Sequence, residues 1–163
     1  SVVLDLMIHD LDLVHQVAPA PVEETEAVSK VIHGEFEDEV DARLRLTDGC
    51  EVRLLASRMA DERKRTMTLD YEDGRVEIDF IARTLKNTTK ADLKSAFEAS
   101  EGGLPAVADD PLGYAIGAFV ACVKTGEDVF VTGGDARRAL ETALGIIEAT
   151  KVTDHETNAK NVD

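Results

Sequence analysis

An aspartate and a histidine near the start of the chain are the residue types best suited to chemistry. Asp5 and His9 fall in the apolar segment 3–17, which we predict to be a helix. Residues four apart on a helix have Cβ atoms about 5–6 Å apart, so the carboxylate can orient the imidazole and stabilise its charged form. That pair suits a general base that takes a proton from a hydroxyl near neutral pH. Two other interpretations stay open: a polar stripe that meets solvent, and a hydrogen-bonded core histidine.

Asp12 and Gln16 extend this polar stripe along a helix that is otherwise apolar on nearly every face. So apolar a helix seldom carries Asp and His unless they meet a partner or a cleft. We therefore take His9 and Asp5 as catalytic candidates and Asp12 as a substrate-binding candidate. His15 lies off the stripe and is predicted to be a surface residue at the helix end. The histidines lack metal-ligand spacing, so no metal site is predicted.

The stretch from Arg58 to Arg65 is the only basic cluster in a chain of net charge −15. Guanidinium groups at a strand end can bind a phosphate through paired hydrogen bonds, which makes Arg58 and Arg65 substrate-binding candidates. The alternative is a solvated strand connection that balances Asp61 and Glu62.

The charge balance, 18 Lys+Arg against 33 Asp+Glu, excludes several kinds of partner. It argues against binding nucleic acid or an anionic membrane, and no apolar run approaches the roughly 20 residues that span a bilayer. No GxGxxG or GxxxxGK[ST] occurs, so no cofactor-binding residues are predicted in this chain. Cys50 and Cys122 lack CxxC spacing and are predicted to be two buried, reduced thiols, with one disulfide as the alternative. A cytoplasmic protein is expected.

The elements around these candidates predict an α+β fold, an open, mainly antiparallel sheet with helices packed on one face. Strands are predicted over residues 25–33 and 39–46. Further strands are joined by the turns Asp48-Gly49 and Asp73-Gly74, which predicts an antiparallel meander of at least four strands. A short helix is expected within 86–110. The 163 residues suit a single domain.

Two helices are predicted to close the chain. The first carries Pro111 in its first turn behind an Asp109 or Asp110 cap, ends at Gly126, and has a GxxxG that favours close helix packing. The last runs from Gly134 to about residue 150, and a polar, frayed tail follows Lys151. Its predicted inward residues are Ala139, Leu140, Ala143, Leu144 and Ile147.

Residues 3–12 (VLDLMIHDLD) resemble the helix that opens the substrate domain of Gfo/Idh/MocA oxidoreductases. The resemblance continues in residues 42–50 (ARLRLTDGC), 56–58 (ASR), 110–112 (DPL) and 131–141 (VTGGDARRALE). It implies the dihydrodipicolinate-reductase-like C-terminal domain of those enzymes. The sequence of the first helix is similar to that of nucleotide-sugar 3-dehydrogenases.

The resemblance implies half of an NAD- or NADP-dependent dehydrogenase that oxidises or reduces a hydroxyl of a sugar, nucleotide sugar or cyclitol. His9 would be the general acid/base and Asp5 a substrate-orienting and pKa-tuning partner. An N-terminal Rossmann domain, absent from this chain, would bind the cofactor, and the open sheet face would pair in a homo-oligomer. Because the chain opens in an apolar run, we expect it to be a fragment of a longer protein. Since the resemblance places the cofactor domain outside this chain, we expect the fragment to be inactive alone. Two alternatives are a non-catalytic binding or dimerisation module and a relative with a non-sugar substrate, such as a biliverdin-like or dihydrodiol ligand.

Overall fold

A computed structural model of the chain describes residues 1–93 and 110–152, which fall into two compact units. The first unit contains Ser1–Ala60 and the described residues from Phe130 onward, and the second contains the described part of Asp61–Val129. Along the chain the elements are a π-helical segment Val3–Met7, α1 Ile8–Val17, β1 Val22–Lys30, β2 Glu39–Leu46, β3 Glu51–Ser57, β4 Thr66–Tyr71, β5 Gly74–Asp79, β6 Thr84–Asn87, α2 Pro111–Thr125, α3 Gly133–Ala149 and β7 Thr150–Val152.

The first unit is a four-stranded sheet with helices on one face. Its strand order is β3-β2-β1-β7, antiparallel except for β7, which runs parallel to β1. Alternate residues of β2 are buried, whereas Val28 and Leu55 are exposed on the other side of the sheet. On the buried side α3 packs against β1 and the π-helical segment packs against β3. The turn at Asp48-Gly49 forms as predicted, with Gly49 at φ +87. The predicted α+β fold class is confirmed.

Strand β1 ends three residues before its predicted end. The Asp38 carboxylate accepts hydrogen bonds from the backbone N–H groups of Ile32 and His33, at 2.8 and 2.7 Å. Gly34, at φ +90, then turns the chain. These backbone N–H groups therefore pair with a side chain instead of continuing the ladder with β2.

The second unit contains a separate three-stranded antiparallel sheet, β4-β5-β6. The prediction that both turns belong to one meander is wrong, because β3 and β4 are not paired. The connection 58–65 between them is polar and carries no hairpin turn. Gly74 is required where predicted, since a Cβ there would lie 2.6 Å from the carbonyl oxygen of Thr88. Strand β6 was not predicted, and most of the region of the short helix predicted within 86–110 lies outside the described residues.

Helix α2 has the predicted ends. The Asp110 side chain accepts from the Gly113 N–H at 2.8 Å, and Gly126 ends the helix at φ +75. Close packing at the GxxxG is not found in the described part of the chain, because a Cβ on Gly117 would meet open space. The large apolar side chains of the helix are exposed, namely Leu112, Tyr114, Ile116, Phe119, Val120 and Val123.

Helix α3 begins with a capping box between Thr132 and Asp135. Ala139 and Ala143 are buried as predicted, but Leu140 and Leu144 are exposed and Ile146 is buried instead. The α3 face that is buried thus carries the small alanines and Ile146, and α3 packs against α1. From residue 153 onward, the tail predicted after Lys151 lies outside the described residues.

The two cysteines are free, as predicted, but their predicted burial is wrong. Cys50 lies beside the β2–β3 turn and is exposed, because a tight turn leaves its side chains at the surface. Cys122 is half-buried in α2. No helix within residues 1–93 or 110–152 is long and apolar enough to cross a bilayer.

Candidate active site

The segment that carries the catalytic candidates opens with a π-helical turn rather than a regular α-helix. The backbone N–H of Ile8 donates to the carbonyl of Val3, five residues earlier, and α1 begins only at Ile8. Because a π turn takes in one more residue than an α turn, Asp5 and His9 are offset from ordinary i, i+4 geometry. Isolated π turns of this kind are frequent at functional sites.

Asp5 is paired with Arg58 in this structure. An Arg58 Nη2–H donates to Asp5 Oδ2 at 2.8 Å and to the backbone carbonyl of Ser1 at 3.4 Å. The Asp5 side chain is 62% exposed and that of Arg58 is 39% exposed. The structure thus brings together two residues that the sequence suggested separately, one from the first helical segment and one from the residue after β3.

His9 lies in the first turn of α1, and its side chain is exposed. Within residues 1–93 and 110–152 it has no hydrogen-bond or ion-pair partner, and Asp5 hydrogen-bonds Arg58 instead. Both ring nitrogens are therefore open to a molecule that approaches from solvent. Imidazole is the side chain most often used as a general acid or base, so this exposed ring can serve as a proton-exchange group.

Asp12 and His15 lie at the other end of the same helix. Asp12 accepts a hydrogen bond from Gln16 Nε2 at 3.1 Å, and both line a shallow cleft of about 330 Å³ with His15, Phe130 and Asp135. His15 is only 6% exposed, so its predicted surface position is wrong. The cause is α3, which packs over it and places Thr142 Oγ1 2.9 Å from His15 Nε2.

The environment of His15 favours its neutral form. Burial lowers the pKa of the imidazole, the Arg138 charge lowers it further, and Asp12 opposes the shift. Its Nδ1 is buried without a hydrogen-bond partner among the described residues. His15 is thus a packed helix–helix residue.

Arg65 belongs to the second unit and is described there by itself. Its guanidinium lies over the Phe80 ring, 5.3 Å from the centroid, and its backbone carbonyl accepts the Phe80 N–H at 3.0 Å. A guanidinium over an aromatic face is held by cation–π attraction.

The described residues contain no group of three or more His, Cys, Asp or Glu that could hold a metal ion. Sequence reasoning also missed one contributor to the site, the connection 31–38 between β1 and β2. In this connection the Glu37 carbonyl accepts from the Val2 N–H, and the Asp38 carbonyl accepts from the Arg58 N–H. No local pattern signals this contact, because it joins segments that are distant in sequence.

Part of this chain is similar to a known protein family. Residues 1–78 match the family model of the GFO/IDH/MocA C-terminal domain. Over these residues, just under half of the chain, the sequence is similar to the Gfo/Idh/MocA family. The resemblance predicted from the first helix and the β2–β3 hairpin is confirmed over residues 1–78, and the exposed Asp5 and His9 lie in that matched part.

Individual relatives agree with the family assignment. The chain is 29% identical over 154 residues to UDP-N-acetylglucosamine 3-dehydrogenase of Acidithiobacillus ferrooxidans, an alignment that covers 90% of this chain and 47% of that protein. A solved structure of the enzyme of that name from the same organism superposes with a TM-score of 0.74 at 27% identity, over 91% of this chain and 47% of the other. The chain thus spans about half the length of the curated relative it matches.

The fold is also shared with a more distant protein. The WlbA dehydrogenase from Bordetella pertussis, solved in complex with NADH and UDP-GlcNAcA, gives a TM-score of 0.70 at 16% identity. The match covers 88% of this chain and 43% of that one. At that identity the likeness concerns the fold alone.

Proposed function

We propose that this chain is the substrate-binding half of an NAD(P)-dependent dehydrogenase that acts on a hydroxyl of a nucleotide sugar, with sugars and cyclitols as the broader class. The observation that carries the proposal is the exposed His9, which has no partner among the described residues, on the same helical segment as a carboxylate held by an arginine, in the part of the chain that matches the GFO/IDH/MocA C-terminal domain. The nucleotide-sugar substrate is supported by the 29% identity to UDP-N-acetylglucosamine 3-dehydrogenase.

In this proposal His9 is the general acid/base. Its exposed ring takes the proton of the substrate hydroxyl as the carbon becomes a carbonyl, or returns that proton in the reverse direction. The nicotinamide, when bound, accepts or donates the hydride. The described residues offer no glycine-rich phosphate cradle for that cofactor, so we place its binding mainly in an N-terminal Rossmann domain outside this chain.

The other candidates would contact or orient the substrate. Asp5 would accept a hydrogen bond from the substrate and orient the hydroxyl toward His9. The guanidinium of Arg58 donates only through Nη2 in its hydrogen bonds to described residues. Its other guanidinium N–H groups are left for an anionic group such as a diphosphate. Asp12 is proposed as a further substrate contact. Arg65 lies in the second unit, and its proposed substrate contact is a separate one.

We also propose that residues 1–163 act as one domain that assembles into a homo-oligomer. One face of the four-stranded sheet supports this part of the proposal, because among the described residues Val28 and Leu55 are exposed there beside charged side chains. The cytoplasm is the proposed compartment, since both cysteines are free thiols.

A substrate panel on the full-length protein tests the function. Reduction of NAD or NADP is followed with UDP-N-acetylglucosamine, other nucleotide sugars, free sugars and cyclitols, and the fastest turnover is expected with a nucleotide sugar. Turnover only with a non-sugar substrate would overturn the proposed class. Tight ligand binding with no turnover on any substrate would favour a non-catalytic module.

The isolated 163-residue chain is a second test, since we expect neither turnover nor tight cofactor binding from it. Micromolar affinity for NAD in a nicotinamide fluorescence titration would contradict the proposed division of labour.

A further inference from the structure

Asp38 is a buried carboxylate that the proposed chemistry leaves unused. It is 6% exposed, one of three polar or charged residues buried among the described residues, and it lies at the end of the connection 31–38, which we call the Asp38 loop. One oxygen, Oδ2, accepts from both the Ile32 and the His33 backbone N–H, at 2.8 and 2.7 Å. A buried charge with two such donors is satisfied by its own loop.

The backbone of the same residue joins two strands to the site. The Asp38 N–H donates to the Lys30 carbonyl at 2.9 Å, and the Asp38 carbonyl accepts from the Arg58 N–H at 2.9 Å. Arg58 is therefore fixed at its main chain by Asp38, while its side chain reaches Asp5 at 2.8 Å. Asp38 and Asp5 hold the two ends of one arginine.

The neighbouring residue connects the loop to the start of the helical segment. The Glu37 carbonyl accepts from the Val2 N–H at 3.1 Å, and its carboxylate accepts from the Ser1 hydroxyl at 2.8 Å. The carbonyl of Ser1 in turn accepts from Arg58 Nη2. The Asp38 loop thus contacts both segments that the Asp5–Arg58 pair joins, and it contacts them through backbone groups whose positions depend on the loop conformation.

We propose that Asp38 is a positioning residue for the dehydrogenase reaction: by folding the Asp38 loop, it sets Arg58 where its guanidinium can hold the Asp5 carboxylate next to His9. This inference rests on the proposed function. It adds a residue that touches no substrate and acts through another side chain, as supporting hydrogen bonds do around catalytic groups. The backbone N–H groups of His33 and Ile32 lower the pKa of Asp38, which keeps it charged at neutral pH.

The test compares variants of the full-length enzyme. Asp38→Ala removes the acceptor of both loop N–H groups, and we expect kcat with the nucleotide sugar to fall by about 10–100-fold, as small misplacements of a reacting group do. Asp38→Asn retains an acceptor oxygen and should restore most of that loss. Asp48→Ala is the matched control, because Asp48 also accepts a loop N–H, that of Cys50 at 3.0 Å, but lies in the β2–β3 turn.

A purely structural role is separated by a double-mutant cycle with Arg58→Ala. If Asp38 acts through Arg58, Asp38→Ala should change kcat little in the Arg58→Ala background. Equal fold losses in both backgrounds would overturn the proposal, as would wild-type kcat in Asp38→Ala. If Asp38→Ala does not fold, Asp38→Ser is taken through the same cycle with the same two outcomes deciding. A wild-type enzyme without dehydrogenase activity would instead count against the proposed function.

Discussion

The two ends of the first helical segment carry the same residue types in different surroundings. At one end Asp5 and His9 are exposed, and the partner of the carboxylate is Arg58. At the other end Asp12 lies beside His15, which is 6% exposed and within hydrogen-bond distance of Thr142. The two histidines differ because α3 places Thr142 beside His15, whereas the His9 side chain is exposed. Burial, rather than residue type or spacing, decides which histidine can meet a substrate.

The largest effect expected from this comparison is on turnover. Replacing His9 with Ala in the full-length enzyme should lower kcat by roughly 10²–10⁴-fold, because it removes the general acid/base. The free energy of unfolding should change by no more than about 0.5 kcal/mol, since the side chain is exposed. Steady-state kinetics and urea unfolding measure the two quantities. An unchanged kcat would remove His9 from the mechanism.

The buried end should respond in stability instead. Thr142→Val deletes the hydroxyl that lies 2.9 Å from His15 Nε2 and leaves a buried polar atom unpaired. We expect the free energy of unfolding to fall by about 1–3 kcal/mol, measured by urea denaturation. Thr142→Ser keeps the hydroxyl and should lose much less. Wild-type stability in Thr142→Val would show that the hydrogen bond does not matter there, because valine keeps the methyl group and lacks only the hydroxyl.

Much of the local structure could be predicted from the sequence because its signals are local. The turns at Gly49 and Gly74, the Asp110 cap and the Gly126 end of α2 each depend on residues within a few positions of one another. The division into two sheets could not be predicted in this way. Both hairpins carry strong turn residues, and only the pairing between strands reveals that β3 and β4 belong to different sheets.

The site was predictable in its residue types but not in its partners. The polar stripe singled out Asp5 and His9, yet the π turn and the Asp5–Arg58 pair depend on a contact between residues 53 positions apart. The burial of His15 depends likewise on α3, more than a hundred residues away. No sequence pattern marks Asp38, because its bonds to Ile32 and His33 are those of an ordinary loop aspartate. Only its contact with Arg58, which is distant in the sequence, links it to the site.

A smaller effect should appear in the pH dependence of stability. The pKa of His15 is lowered in the folded state by burial and by Arg138, with Asp12 opposing, so the unfolded chain binds more protons than the folded one just below the ordinary histidine pKa. The stabilisation from neutral His15 is present in full above about pH 6.5 and is lost as the pH falls toward the folded pKa. Urea unfolding across this range should show that decline.

Histidine variants assign this pH dependence. His15→Gln should flatten the decline because it removes the titrating group, whereas His9→Gln should keep it because His9 is exposed. If the His15 variant keeps the wild-type slope, another group is responsible for it.

The smallest stability effect should come from the Asp5–Arg58 pair itself. Its side chains are 62% and 39% exposed, so solvent screens the attraction, and exposed pairs of this kind contribute about 0.2–1 kcal/mol. A double-mutant cycle with Asp5→Asn and Arg58→Gln, read as free energies of unfolding, should give a coupling in that range that shrinks at high salt. A salt-insensitive coupling of several kcal/mol would mean that the pair is shielded from water. A weak coupling beside a large loss of turnover would instead place the value of the pair in orienting Asp5, since so exposed an ion pair adds little to the stability of the fold.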